Sequence, residues 1–285
     1  MKKGYLYLVL AACCYGSMGI LVRFLSTDLA PFGQTFLRLI IACALMGAVT
    51  IQKKQNLLLK TKSDYLVILI MGVVGYGLQI MLYTYAIYHS TIGNVVFIFS
   101  SYPIITGILA AFILKEKITK NLAIAMVLLF CVLILIFNPT QLGQYLWGNT
   151  LAFLASTCFG IYVIGSRVLL KRGYSPESIT FWSVSIAMLT SAFGAIFLEH
   201  QAIHLNPFNG MLILIFGVFN FAAYYLTNKG FLTVSAGTGT MILMLEPIVG
   251  ALLGLIFFKE IPTLLFIIGA VEIIIAIYIT TVKIK

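Results

Sequence analysis

Charge is what this sequence has least of. Only 9% of its 285 residues are Asp, Glu, Lys or Arg, whereas 61% are hydrophobic. A soluble chain of this length does not expose so little charge, which excludes a soluble domain and leaves a polytopic membrane protein. Acid is scarcer still: eight Asp and Glu stand against eighteen Lys and Arg. In a soluble protein the formal charge of +10 would suggest nucleic acid. Here the lysines sit in short loops between apolar runs, where they carry orientation, and no nucleic-acid partner is expected. There are three histidines, His89, His200 and His204, all in predicted outer loops. His200 and His204 have ligand-like spacing but lack a third ligand. The cysteines Cys13, Cys14, Cys43, Cys131 and Cys158 all lie inside apolar runs, which argues against a disulfide framework or a clustered metal site. A Walker loop is missing too, so this chain does not hydrolyse ATP. No enzyme constellation, cofactor or metal is expected.

What is present is a series of apolar runs, each near the roughly 20 residues that span a bilayer as a helix. Breaks at charged or turn-rich positions predict ten helices, over about 4–24, 32–51, 64–86, 91–114, 120–137, 147–170, 177–198, 209–229, 235–258 and 263–282. The opening "MKKGYLYLVLAAC" imitates a lipoprotein signal, but its apolar run continues to Leu25, too long for a signal core, and reads as a first transmembrane helix. "SPES" from Ser175 predicts a helix start: Ser175 caps, Pro176 suits the first turn, and Glu177 meets the positive end of the dipole. Asn138-Pro139 and Asn206-Pro207 are expected to end the helices before them. With the N-terminus placed in the cytoplasm, fifteen of the eighteen Lys and Arg fall on the cytoplasmic side; Arg23, Arg38 and Lys259 are the remainder. That bias predicts cytoplasmic N- and C-termini in the plasma (inner) membrane.

The chain repeats itself. "YPIITGILAAFILKE" from Tyr102 returns 144 positions later as "EPIVGALLGLIFFKE" from Glu246. In the same register Gly4 matches Gly148, Gly16 matches Gly160, Arg23 matches Arg167, and Gly93 matches Gly237. Apolar matches come easily, but Gly, Pro, Arg and Lys-Glu coincidences in one register do not. Each half holds five helices, and an odd number sends the second copy through the membrane the other way. The predicted fold is therefore an all-α integral membrane protein of ten transmembrane helices arranged as two inverted five-helix repeats, residues 1–144 and 145–285, as in secondary transporters.

These motifs resemble the EamA-type family of ten-helix carriers in the drug/metabolite transporter superfamily. The resemblance covers both halves. It rests on Arg38 in "QTFLRLIIA", on "STIGNVVFIFSSYPIITGILAAFILKEKIT" from Ser90, and on "SAGTGTMILMLEPIVGALLGLIFFKEIP" from Ser235. A proline within helices four and nine, a Glu at their ends and a Glu-Pro in helix nine fit the family pattern. The glycine usual in helix five is Ala125 here, while its partner Gly269 is kept. The resemblance implies a carrier of amino acids, metabolites or nucleotide-like solutes, and leaves the substrate open.

Two acids stand apart from those at helix ends. Glu246 and Glu272 fall near the middle of helices nine and ten, where a carboxylate costs about 3 kcal/mol to insert. Each is read either as a group that couples protons or binds a substrate amine, or as a structural bond; Glu246 could also brace the turn disturbed by Pro247. Arg38 lies two turns inside helix two, and can snorkel outward, pair with a carboxylate, or receive a substrate carboxylate. Tyr76, Gln79 and Tyr83 form a stripe on helix three, and Asn220, Tyr224 and Thr227 one on helix eight; both suit a cavity wall or plain packing. Asn94, Ser100, Tyr102 and Trp182 are weaker additions. Small residues at Thr106/Ala110 and Gly250/Gly254 permit close helix contact.

The expected activity is secondary active transport, with export of a small metabolite such as an amino acid by alternating access, driven by its own gradient or by protons. The expected partners are a small-molecule substrate, the lipid bilayer and protons as coupling ion, with the chain a monomer or homodimer. Two alternatives stand beside it: import of a nucleotide-like solute such as S-adenosylmethionine, and a lipid flippase or lipid-acting membrane enzyme. An enzyme should cluster Asp and His at the interface; a flippase should open a groove to lipid.

Overall fold

The computed structural model describes residues 2–90, 92–136, 145–199 and 205–281. Asn138, Pro139, His200, His204, Lys283 and Lys285 lie outside them. Among the described residues the chain is helical: α1 Lys2–Leu25, α2 Pro31–Gln52, α3 Lys62–His89, α4a Ile92–Phe99, α4b Tyr102–Ile113, α5 Lys120–Ile136, α6 Leu146–Lys171, α7 Pro176–Glu199, α8 Pro207–Phe231, α9a Ala236–Leu243, α9b Leu245–Phe258 and α10 Leu264–Thr281. Nine spans, counting α4 and α9 each as one, are at least 18 residues long and apolar enough to cross a membrane, and α5 is the shorter tenth. These are the ten predicted helices, in two inverted sets of five.

Short-range chemistry fixes where they begin. Thr61 and Asp64 form a reciprocal capping box that starts α3. The Ser175 hydroxyl accepts from the Ser178 N–H at 3.2 Å, with Pro176 in the first turn of α7. Asn206-Pro207 does not close α7. Asn206 accepts from the Asn209 N–H at 2.7 Å and so caps α8 instead, because an Asx side chain satisfies the free amides at a helix start.

Helices four and nine were expected to run unbroken. Each is interrupted, at Ser100–Ser101 and at Met244, just ahead of Pro103 and Pro247. Proline offers no amide to the preceding turn and crowds it, so both helices restart at the repeat-mate residues Tyr102 and Glu246 or one residue before. Discontinuous helices at matching places in two inverted halves are where transporters of this architecture bind.

Helix contacts come in twins under the 144-residue spacing. α1 packs on α8 as α6 packs on α3, and α1 lies along α9b as α6 lies along α4b. The mates α2 and α7 pack together, and so do α5 and α10. Gly16 makes the α1–α9b approach possible: a Cβ there would stand 2.6 Å from the Glu246 carbonyl oxygen. The pseudo-two-fold axis is marked by mates that touch. Tyr76 donates to the Asn220 side-chain oxygen, and the Tyr15 and Phe159 rings meet edge-on at 6.0 Å; both pairs are 144 apart. A cluster of rings surrounds this axis. Tyr76 stacks on Tyr224 at 3.7 Å, and Tyr162 stands against Tyr224 at 5.1 Å.

Candidate functional site

On one side of the ring cluster the bundle opens. A small cavity of about 40 Å³ is lined by Arg38, Gln79, Tyr83, Tyr224 and Glu246, with Tyr15, Phe99 and Phe159 as its aromatic wall. It continues into a wider cavity of about 750 Å³, and Tyr15, Gly19, Tyr83 and Glu246 line both. The wide part runs between α9b and the Asn94 face of α4a with Ser100 at the break beyond it, and reaches Arg23 and Glu260 at its far end. On the other side of the rings the bundle is closed. Asn228 donates to Tyr162 and Thr180 at 2.8 Å each and accepts from Ser166, with all four residues buried.

The break in helix nine positions Glu246. Its carboxylate stands in the first turn of α9b, at the level where α1 passes closest. The other six end-of-helix acids all have partners: Asp28 with Asn209, Asp64 with Arg172, Glu116 with Arg167, Glu177 with Lys53, Glu199 with the amides of Phe32 and Gly33, and Glu260 with Arg23. Glu246 makes no side-chain hydrogen bond or ion pair among the described residues, so it does not brace the Pro247 turn. Its repeat mate Tyr102 is buried with an unpartnered hydroxyl.

Arg38 neither snorkels nor pairs with a carboxylate. It is 2% exposed, and its Nη2 donates to Thr84 at 3.1 Å and to Thr35 at 3.2 Å. Its guanidinium lies 4.1 Å over the Phe216 ring, and its Nε has no partner. Two hydroxyls and a ring face leave the positive charge formally uncompensated within a cavity that also holds Glu246.

The tyrosine stripe of α3 divides. A π-helical stretch, Met71–Leu78, precedes Gln79, and its wider turn takes Tyr76 off the face shared by Gln79 and Tyr83. Gln79 and Tyr83 face the cavity, with Gln79 accepting from the Tyr224 hydroxyl at 2.9 Å. Tyr76 and Asn220 lie behind it, both fully buried and bonded to each other. Asn220→Leu would strand a buried phenol at about 1–3 kcal/mol. We expect a lower unfolding temperature in detergent for that variant, with Tyr76→Phe added to the same chain recovering most of the loss. An uncorrected loss in the double variant would show that the pair is not what Asn220 contributes.

Two sequence candidates lie elsewhere. Trp182 Nε1 donates to the Leu57 carbonyl at 2.8 Å and pins the α2–α3 loop, away from both cavities. Glu272 is half-buried on α10 with an unpartnered Oε2, and lines neither cavity. Sequence reasoning missed Tyr15, Phe99 and Phe159, which look like ordinary apolar residues of a span. The signal was available: Tyr15 and Phe159 are an aromatic pair at the repeat spacing.

The EamA-like transporter family model matches residues 2–138 and 146–282, once for each half. The chain belongs to the EamA-like transporter family. An uncharacterized transporter of Clostridium kluyveri is 24% identical over 96% of this chain and 92% of its own. The uncharacterized transporter YetK of Bacillus subtilis is 24% identical over 99% and 87%, and one from Archaeoglobus fulgidus is 25% identical over 99% and 100%. A solved crystal structure superposes with a TM-score of 0.81 at 16% identity, covering 99% of this chain and 97% of that one, which shows the fold alone. Family and helices together make this EamA-family chain a multi-pass membrane transporter, with a small-molecule substrate and a lipid surround.

Proposed function

We propose that the protein is a secondary active transporter that exports a small zwitterionic metabolite, such as an amino acid, by alternating access between halves 1–144 and 145–285. The observation that carries this reading is one cavity holding a buried guanidinium and a half-buried carboxylate, neither of them ion-paired among the described residues. A substrate carboxylate suits the planar donors of Arg38, and a substrate ammonium suits Glu246. The rings of Tyr15, Phe99 and Phe159 take the apolar side chain, and Gln79, Tyr83 and Tyr224 supply polar edges. Asn94 lines the approach. Protons are the proposed coupling ion, with Glu246 as the coupling group and Glu272 the second candidate.

The test is counterflow in liposomes against a metabolite panel. Exchange of zwitterionic amino acids, with little exchange of the matching amine or acid alone, is the expected result. The import alternative is favoured by the volume of about 750 Å³, which holds a nucleotide-like solute. Preferential exchange of S-adenosylmethionine would move the assignment there, and lipid scrambling without solute exchange would make the protein a flippase.

The basic-residue bias puts both termini in the cytoplasm, and the cavity then opens outward. Single cysteines at Lys115 and Lys259 should therefore label from opposite faces, Lys115 from the cytoplasm and Lys259 from outside. Labelling of both from one face would contradict this orientation.

A further inference from the structure

Two ion pairs in this chain are the same contact made twice. Arg167 on α6 binds Glu116 beyond α4b, and Arg23 on α1 binds Glu260 beyond α9b. The 144-residue spacing turns one into the other, since Arg23 maps to Arg167 and Glu116 to Glu260. The local backbone is repeated as well. Lys115 and Lys259, which precede the two glutamates, both take left-handed conformations, with φ of 52° and 55°. The amides of Glu116 and Glu260 return to the carbonyls of Ala110 and Gly254, again mates. Lys54, just past the end of α2, takes the same conformation, so this is how the chain leaves a helix, and what the two halves add is the glutamate placed directly after it.

The surroundings of the two pairs differ. Arg167 and Glu116 have side chains only 12% and 15% exposed, while Arg23 and Glu260 are 39% and 56% exposed. At the buried pair, Glu116 Oε2 accepts from the Ala236 amide at 2.9 Å, at the first residue of α9a. Arg167 also donates to the Phe231 carbonyl at the end of α8. The pair thus grips the corner between α8 and α9a. Burial works against the charge of Glu116, but Arg167 outweighs it and holds the carboxyl below its ordinary 4.5. At the exposed pair no such grip exists among the described residues. Arg23 lies over the Phe258 ring, and neither residue bonds to the corner between α3 and α4a, which forms the opposite wall of the open cavity.

We infer that each Arg–Glu pair is a latch that closes one face of the carrier by docking on the opposite helix corner, and that Arg167–Glu116 is docked here while Arg23–Glu260 is not. The symmetry names the missing bonds. Ala236 maps to residue 92 and Phe231 to residue 87, so closure of the Arg23 face brings Glu260 onto the amide of Ile92 and Arg23 onto the carbonyl of Ile87. A carboxylate on a helix N-terminus is favourable in both sites. The inference rests on the alternating-access reading, because only a protein that exchanges its two faces needs one latch undocked.

Hydrogen exchange on the full chain in nanodiscs tests this without any substrate. Glu116→Gln frees the α8–α9a corner and shifts the population toward the reversed state. Exchange over residues 232–240 should rise about tenfold, the scale of one charge-assisted hydrogen bond, and exchange over residues 87–96 should fall. Adding Glu260→Gln removes the second latch, so the fall over 87–96 should disappear while the rise over 232–240 stays. Should Glu116→Gln fold poorly, Glu116→Asp keeps the charge one carbon short and should give the same pattern more weakly. A rise over 232–240 with no fall over 87–96 would mean that Glu116 only caps its own corner, and would overturn the latch. A fall that survives in the double variant would overturn the role of Glu260. The expected exchange pattern in a protein with no liposome flux would instead sink the transporter reading and leave the two docking states.

Discussion

Glu246→Gln should abolish pH-driven flux in liposomes and leave counterflow running. Glutamine keeps the size of the side chain but carries neither the proton nor the negative charge, so affinity for a substrate ammonium should fall as well. In the small cavity Glu246 is joined by Tyr15 from α1, Arg38 from α2, Tyr83 from α3 and Tyr224 from α8, and the wide cavity adds Arg23, ion-paired with Glu260 at its far end. Among the described residues Glu246 has no hydrogen-bond or ion-pair partner to lose, and the fold should not notice the change. Under the proposed coupling, the carboxyl of the empty carrier exchanges protons with the open cavity, and an arriving substrate ammonium displaces the proton as it pairs. Such an exchange would tie substrate movement to proton movement in opposite directions. Counterflow swaps substrate for substrate with no net proton requirement, so it persists once the substrate concentration is raised to offset the weaker binding. A full pH response in Glu246→Gln would remove Glu246 as the coupling group. The same measurement on Glu272→Gln would then decide whether the acid on α10 takes the role.

The ten helices and the inverted repeat were legible because both are one-dimensional signals. A span needs an apolar run, and two copies of one unit leave Gly, Pro and Lys-Glu in register. The breaks in helices four and nine were half-visible. Pro103 and Pro247 announce a disturbance, but a proline within a bundle can kink a helix or be absorbed by neighbours, and the neighbours are not in the sequence. Glu246 stood out as an acid in an apolar run. That it lacks a partner depends on α1, α2, α3 and α8 and could not be read from α9. Arg38 was harder. Its contacts are Thr35 one turn before, Thr84 on another helix and the Phe216 ring in the second half, so snorkelling and pairing remained equal choices until the bundle excluded both. The stripe Tyr76–Gln79–Tyr83 assumed a regular helix, and the π-helical stretch that divides it has no periodic signature beyond its glycines at 72, 75 and 77. Trp182 was a weaker addition to the cavity wall; its indole N–H is taken by a loop carbonyl instead.

Arg38→Met should give a protein that is at least as stable as the parent and a far poorer carrier. The guanidinium is buried against two threonine hydroxyls and a phenylalanine face, with one nitrogen unpartnered and no carboxylate in contact. A charge so placed costs stability, and an apolar side chain of similar length that keeps the contact with Phe216 relieves that cost. The unfolding temperature in detergent should hold or rise. Transport should suffer because the substrate carboxylate loses a desolvated ionic partner. That loss is worth about 2–5 kcal/mol, or a rise of thirtyfold or more in the half-saturating concentration. Arg38→Lys restores the charge without the planar fork or the ring stacking, and should recover only part of the affinity. The ligand itself supplies a control. An amine with the same side chain but no carboxylate should bind parent and Arg38→Met alike, since the group that needs Arg38 is missing. If Arg38→Met instead lowers the unfolding temperature and weakens amine and amino acid equally, the guanidinium is a brace between α2, α3 and α8, and the substrate carboxylate binds elsewhere.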